Sequence, residues 1–274
     1  MSESPILDLA LQLWPGVRDG SPIGDPGALD TLLAAQGQPG APGHDCGLTS
    51  TFACFGPGEA ASLTLPSGER SRSDDEARFL GHLLVTRTLI AAGLVIDERV
   101  ARASAAAHAL SWTTEGGAPY HQTPLALAVS LWLIALDPQA RSDNPLPIDW
   151  SPACFERDWW DHEYRLFSHY DVRERALDWC AYASIDAARH EGCAAWTICE
   201  PLLRLEGDSR ARMALPQLAA HAAASATGGG GDGEPLPAAA AIERGRVALL
   251  VQGYLESSRP ADDGSIRPAD HHAR

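Results

Sequence analysis

Asp158, Asp161, His162, Arg165 and His169 lie within twelve residues of one another, in a segment that reads as a single helix. At about 100° per residue, all five fall within about 60° of one line along that helix. Carboxylate, imidazole and guanidinium on one strip are the ingredients of general acid–base work, because histidine changes charge near neutral pH. On that reading Asp158, His162, Arg165 and His169 form a helix-borne catalytic site. His162 and His169 are also candidate ligands for a divalent metal such as Zn or Fe. Seven residues separate them by about 10.5 Å along the axis, so a facing helix would have to supply further ligands. A second reading needs no chemistry. Asp158 with His162, and Asp161 with Arg165, are i,i+4 pairs of the kind that stabilise ordinary helices.

Aromatic residues flank the strip on both sides. Phe155, Trp159, Leu166 and Tyr170 make one face, and Trp160, Tyr164 and Phe167 the other. A helix apolar on two sides is sandwiched between other elements. The polar strip then has to be paired, hydrogen-bonded or metal-bound.

The remaining motifs are incomplete. Cys180, His190, Cys193 and Cys199 fall within 20 residues. Their spacing lacks the C-x2-4-C knuckle of structural zinc sites. His162-Glu163 and His190-Glu191 each begin like a zincin helix but lack the second histidine. Neither G-x-S-x-G nor C-x-x-C occurs. Asp45-Cys46-Gly47-Leu48 resembles the Asp-Cys-Ser-Gly-Leu nucleophile segment of papain-like amidases, without its serine. That resemblance implies a Cys46 nucleophile, a helix directly after it and a base histidine on a later strand. Here Thr49 to Phe55 read as a strand and the chain downstream reads as helix, so the activity is not carried over.

Composition removes further classes. The chain has 274 residues, and all 21 of its cationic side chains are arginine. Without lysine there is no P-loop lysine, no Schiff base and no serine–lysine dyad. A net charge of −15 offers no basic block to displace counterions from nucleic acid, and disfavours anionic membrane surfaces. No apolar run reaches the length of a membrane span, and Met1 to Asp8 lack a basic region followed by an apolar core. These features predict a cytoplasmic chain whose cysteines are reduced thiols or metal ligands.

The elements that must position these residues are well punctuated. Ser4-Pro5, Asp25-Pro26, Thr123-Pro124 and Ser151-Pro152 each place a capping side chain before a first-turn proline. Ser73 with Glu76, and Asp171 with Glu174, form capping boxes. The pattern predicts helices over 5–14, 26–36, 74–93, 97–112, 124–136, 152–170, 172–190, 193–205, 209–225 and 238–257. The predicted fold is therefore mainly α, a bundle of about nine or ten helices. Strand signals lie only between 48 and 66, as a hairpin or an ordered loop. Residues 1–257 read as a single helical domain, with 1–70 either a loop-rich subdomain or a wrap around the body. Residues 226–237 read as a flexible Gly-rich linker and 258–274 as a disordered tail.

Two functions follow as expectations. The first is a cytoplasmic, acidic, helical protein-binding protein: an adaptor, or a neutralising partner of a basic protein such as a bacterial toxin. It would need no cofactor and would not be an enzyme. The alternative is an enzyme using the Asp158–His169 strip.

Overall fold

A computed structural model describes residues 4–44, 48–64, 70–71, 73–110, 124–136, 196–205, 207–227 and 238–257. These residues are mostly helical, with eight α-helices and no strand among them. We number the helices α1 (Pro5–Arg18), α2 (Pro26–Ala34), α3 (Asp74–Ala91), α4 (Glu98–Leu110), α5 (Pro124–Leu136), α6 (Trp196–Arg204), α7 (Ser209–Thr227) and α8 (Ala238–Ser257). The helices expected over 152–170 and 172–190, and the tail from 258, lie outside the described residues.

The starts follow the capping chemistry. Ser4 Oγ accepts from the Leu7 N–H at 3.2 Å, Asp25 Oδ1 from Gly27 at 2.9 Å, and Ser73 Oγ from Glu76 at 3.2 Å. Each satisfies one of the donors a helix start leaves without an intrahelical partner, which contributes about 1 kcal/mol.

The ends depart more. The Pro15-Gly16 pair predicts a stop, yet α1 runs on to Arg18 with Pro15 inside it. Proline removes one hydrogen bond there. Burial of Val17 and the contacts of Trp14 and Arg18 hold the extra turn in place. α7 likewise reaches Thr227, the second residue of the expected linker.

The hairpin expected over 48–66 does not form among the described residues. Residues 51–53 pair instead with the end of α2: Gly37 donates to the Thr51 carbonyl at 2.8 Å and Ala53 to the Ala35 carbonyl at 2.9 Å. Only the isolated bridge Gln36–Phe52 comes of it, and Thr64 bridges to Arg70 rather than to that segment. Burial decides the outcome. Phe52, Cys54, Phe55, Ala61 and Leu63 are all buried against the helices. An alternating hairpin would have faced half of its residues to solvent. Gly37 makes the crossing possible: its φ is 66°, and a Cβ there would sit 2.9 Å from the Thr49 carbonyl oxygen.

α3 is the central element. Every residue from Phe79 to Ile90 is buried, and the helix packs on α1, α2, α4 and α5. The described residues form two apolar cores. One joins Leu7, Leu32, Phe52, Leu63, Leu83 and Val100 around α3. The other joins Ala128, Ile198, Leu215, Leu218, Val247 and Val251 among α5 to α8. α5 serves both, giving Leu133 to the first and Leu131 and Ile134 to the second.

Candidate functional site

Asp158, Asp161, His162, Arg165 and His169 lie outside the described residues, as do Cys46, Cys180, His190 and Cys193. No group of three or more His, Cys, Asp or Glu side chains among the described residues could hold a metal ion. Cys54 and Cys199 are buried thiols outside any disulfide. Burial pushes each up to about 12, so neither supplies a thiolate nucleophile at neutral pH.

The densest polar cluster lies where the two cores meet. Trp14 of α1 and Trp132 of α5 pack edge to face, with centroids 5.0 Å apart. Arg87 of α3 covers Trp14 and Arg204 of α6 lies over Trp132. Arg18 pairs with Glu243 of α8 and, at 2.8 Å, with Asp19. Arg246 pairs with both Glu243 and Glu200. Arg204 approaches Glu200 at 3.9 Å.

Electrostatics follow from this packing. Burial works to raise the Glu243 carboxyl, but Arg246 and Arg18 outweigh it and hold it below the usual carboxylate range. Arg87 is the exception. Burial, and then the charge of Arg18, push it down to about 9, against the attraction of Glu200 and Glu243. Its Nε has no hydrogen-bond partner. The cluster contains fixed charges and no nucleophile, so what it does is join α1, α6 and α8. Its sequence signal was faint: one arginine inside the apolar run from Phe79 to Ile90.

His82, one turn earlier on α3, is also fully buried. Its Nδ1 accepts from the Phe52 N–H at 3.3 Å, while its Nε2 has no partner of hydrogen-bonding geometry. Burial lowers it to about 3, with the Ala103 backbone opposing in part. It is a neutral core histidine.

Two surface features among the described residues are open to a ligand or partner. The first is the outer face of α8. With Ile242 at 0°, Gly245, Leu249 and Gly253 fall at about 300°, 340° and 20°. The buried Val247 and Val251 fall near 140° and 180°, on the opposite side. Ile242 is 75% and Leu249 71% exposed, and Leu250 is 43% exposed beside them. A Cβ added at Gly245 or Gly253 would meet nothing within 4 Å, so the face is open between Ile242 and Leu249 and beyond Leu249. The second is a cleft of about 190 Å³ at the start of α4, lined by Gln36, Thr49, Ser50, Glu98, Arg99 and Arg102.

No family model matches the chain, and no curated protein or solved structure matches it either. No described helix is long and apolar enough to cross a membrane.

Proposed function

We propose that the chain is an acidic, helical protein-binding protein of the cytoplasm, an adaptor or neutralising partner that docks a basic protein on the outer face of α8. The observation that carries this reading is the exposure of Ile242 and Leu249 on one line of a helix already buried by its other side. Large aliphatic side chains exposed two turns apart on one line, with Gly245 between them, suit an apolar anchor from a partner. Arg246, at about 40° beside the stripe, is already paired with Glu243 and Glu200, and the chain as a whole carries −15. That charge supports a basic partner, since steering by opposite charge raises association rates by about 10–1,000-fold.

Crosslinking in the native host, followed by mass spectrometry, identifies the partner to be purified. Calorimetry then compares the wild type with Ile242→Asp and Leu249→Asp. We expect a partner of net positive charge, about tenfold or greater loss of affinity in each variant with unchanged circular dichroism, and an association rate that falls as salt rises. Full affinity in both variants, or a salt-independent association rate, would remove the reading.

A further inference from the structure

We propose that the outer face of α8 binds a second copy of this chain, as a two-fold dimer in which the two α8 helices lie antiparallel. The inference rests on the reading of that face as a docking surface, and names its occupant when no other protein is present.

The glycines point to a close neighbour. Neither Gly245 nor Gly253 has a positive φ, and a Cβ at either would meet nothing within 4 Å. Alanine is the better helix former at such positions. No described residue therefore calls for glycine there. A second helix drawn up against the face does, because the distance between packed helices is set by the side chains at the contact.

The spacing says which neighbour. Along the stripe the order is large, small, large, small: Ile242, Gly245, Leu249, Gly253. Take a two-fold axis passing midway between Val247 and Ala248. Ile242 and Gly253 then lie about 8 Å before and after it, so each Ile242 meets the Gly253 of the other copy. Leu249 lies about 2 Å after the axis and Gly245 about 4 Å before it, so these two also meet, within about 1.5 Å of register. The angles agree. Ile242 and Gly253 share one side of the stripe, at about 0° and 20°, while Leu249 and Gly245 share the other, at about 340° and 300°. A two-fold contact brings like sides together, so each large side chain finds a glycine rather than another large side chain.

Charge permits the contact and sets its salt dependence. Glu256 lies on the stripe at about 320°, but the two copies of it are about 25 Å apart across the axis, well beyond a Debye length of about 8 Å. Arg246 lies close to the axis, where Glu243 and Glu200 offset its charge. Each copy carries −15 overall, so two copies repel at long range and salt relieves the repulsion. The basic partner proposed above has the opposite salt dependence and competes for the same face. A single helix pair is small against the about 1,200–2,000 Å² of stable complexes, so the dimer is weak.

Sedimentation equilibrium of the purified full chain, over about a hundredfold range of concentration reaching about 1 mM, tests the proposal. The wild type passes from monomer to dimer and no further, because a two-fold contact closes on itself. The dimer strengthens as sodium chloride rises. Gly253→Ile sets two large side chains against each other and weakens dimerisation about tenfold or more. Adding Ile242→Gly to that variant restores the dimer, because the large and small positions have only changed places. A Gly253→Ile chain that had merely lost its fold would not be rescued in this way. A wild type that stays monomeric throughout overturns the dimer and leaves the docking of a basic protein standing, since no partner is present in the measurement. Assemblies larger than two, or a dimer that weakens with salt, overturn it as well. So does a dimer that is unchanged in Gly253→Ile, or one that Ile242→Gly fails to restore.

Discussion

The guanidinium carbon of Arg87 sits over the Trp14 indole, 3.6 Å from its centroid. The arginine is only 7% exposed and its Nε is unpaired. Stacking on tryptophan recovers about 2 kcal/mol when both groups are dry, which is less than the several kcal/mol needed to desolvate a cation. Arg18 adds a repulsive charge nearby. The packing of this residue therefore stabilises more than its charge does.

Arg87→Met keeps the long side chain on Trp14 and removes the buried charge. We expect a urea midpoint equal to or above that of the wild type. Glu200→Leu removes the carboxylate that Arg246 and Arg204 share, leaving Arg246 to Glu243 and Arg204 to solvent, and should cost about 1–3 kcal/mol. Chemical denaturation of the two variants side by side checks the pair. A strongly destabilised Arg87→Met would show that the charge itself holds the junction together.

His82 gives a pH dependence whose sign is fixed. The folded state holds it near 3 against an ordinary 6.5. Between those values the unfolded chain binds a proton that the folded chain does not. His82 therefore contributes no penalty above about pH 6.5, and stability is lost as pH falls from there towards 3, by up to about 1.4 kcal/mol per pH unit. His82→Asn keeps an acceptor for the Phe52 N–H but cannot take the proton. The difference in slope between the two proteins from pH 6.5 to 5 should isolate this residue, because the lowered carboxylates titrate at more acid pH. Parallel slopes would mean that His82 is solvated in the folded protein.

Gly81 pits local propensity against packing. Within α3, alanine is favoured over glycine by about 1 kcal/mol. But a Cβ at Gly81 would lie 2.8 Å from Cys54 Cβ and 2.9 Å from its Sγ. The loop carrying Cys54 is wedged between Phe52 and Phe55, both buried, and has no room to retreat. We expect Gly81→Ala to lower stability by about 1–3 kcal/mol, read as a drop in Tm. A rise would mean that the loop yields to the helix.

Helix starts were legible in the sequence because a capping side chain reaches only two or three residues ahead. Ser4, Asp25 and Ser73 need nothing distant to do their work. What was not legible depends on contacts far apart in the chain. Pro15 reads as a stop until Arg18 is seen to reach Glu243. Residues 48–66 read as a hairpin or an ordered loop until the end of α2 claims Thr51 and Ala53. Arg87 stands out in the sequence only as an arginine within the largely apolar stretch from Phe79 to Ile90, because its cover comes from the distant Trp14. The cleft at α4 is of the same kind. It brings together Gln36, Ser50 and Arg99, which have no spacing in common. The Asp158–His169 strip lies outside the described residues, so its chemistry stands as a sequence expectation alone.

α5 is a party wall. One side of it lines the core around α3, where Leu133 sits, and the other lines the core of α6 to α8, where Leu131 and Ile134 sit. Detaching α6 to α8 would leave Leu131 and Ile134 facing water while Leu133 stayed covered. Neither half can open without stripping apolar surface from a helix the other half still holds. The two cores are thereby made mutual creditors in stability, and damage to one is felt in the other.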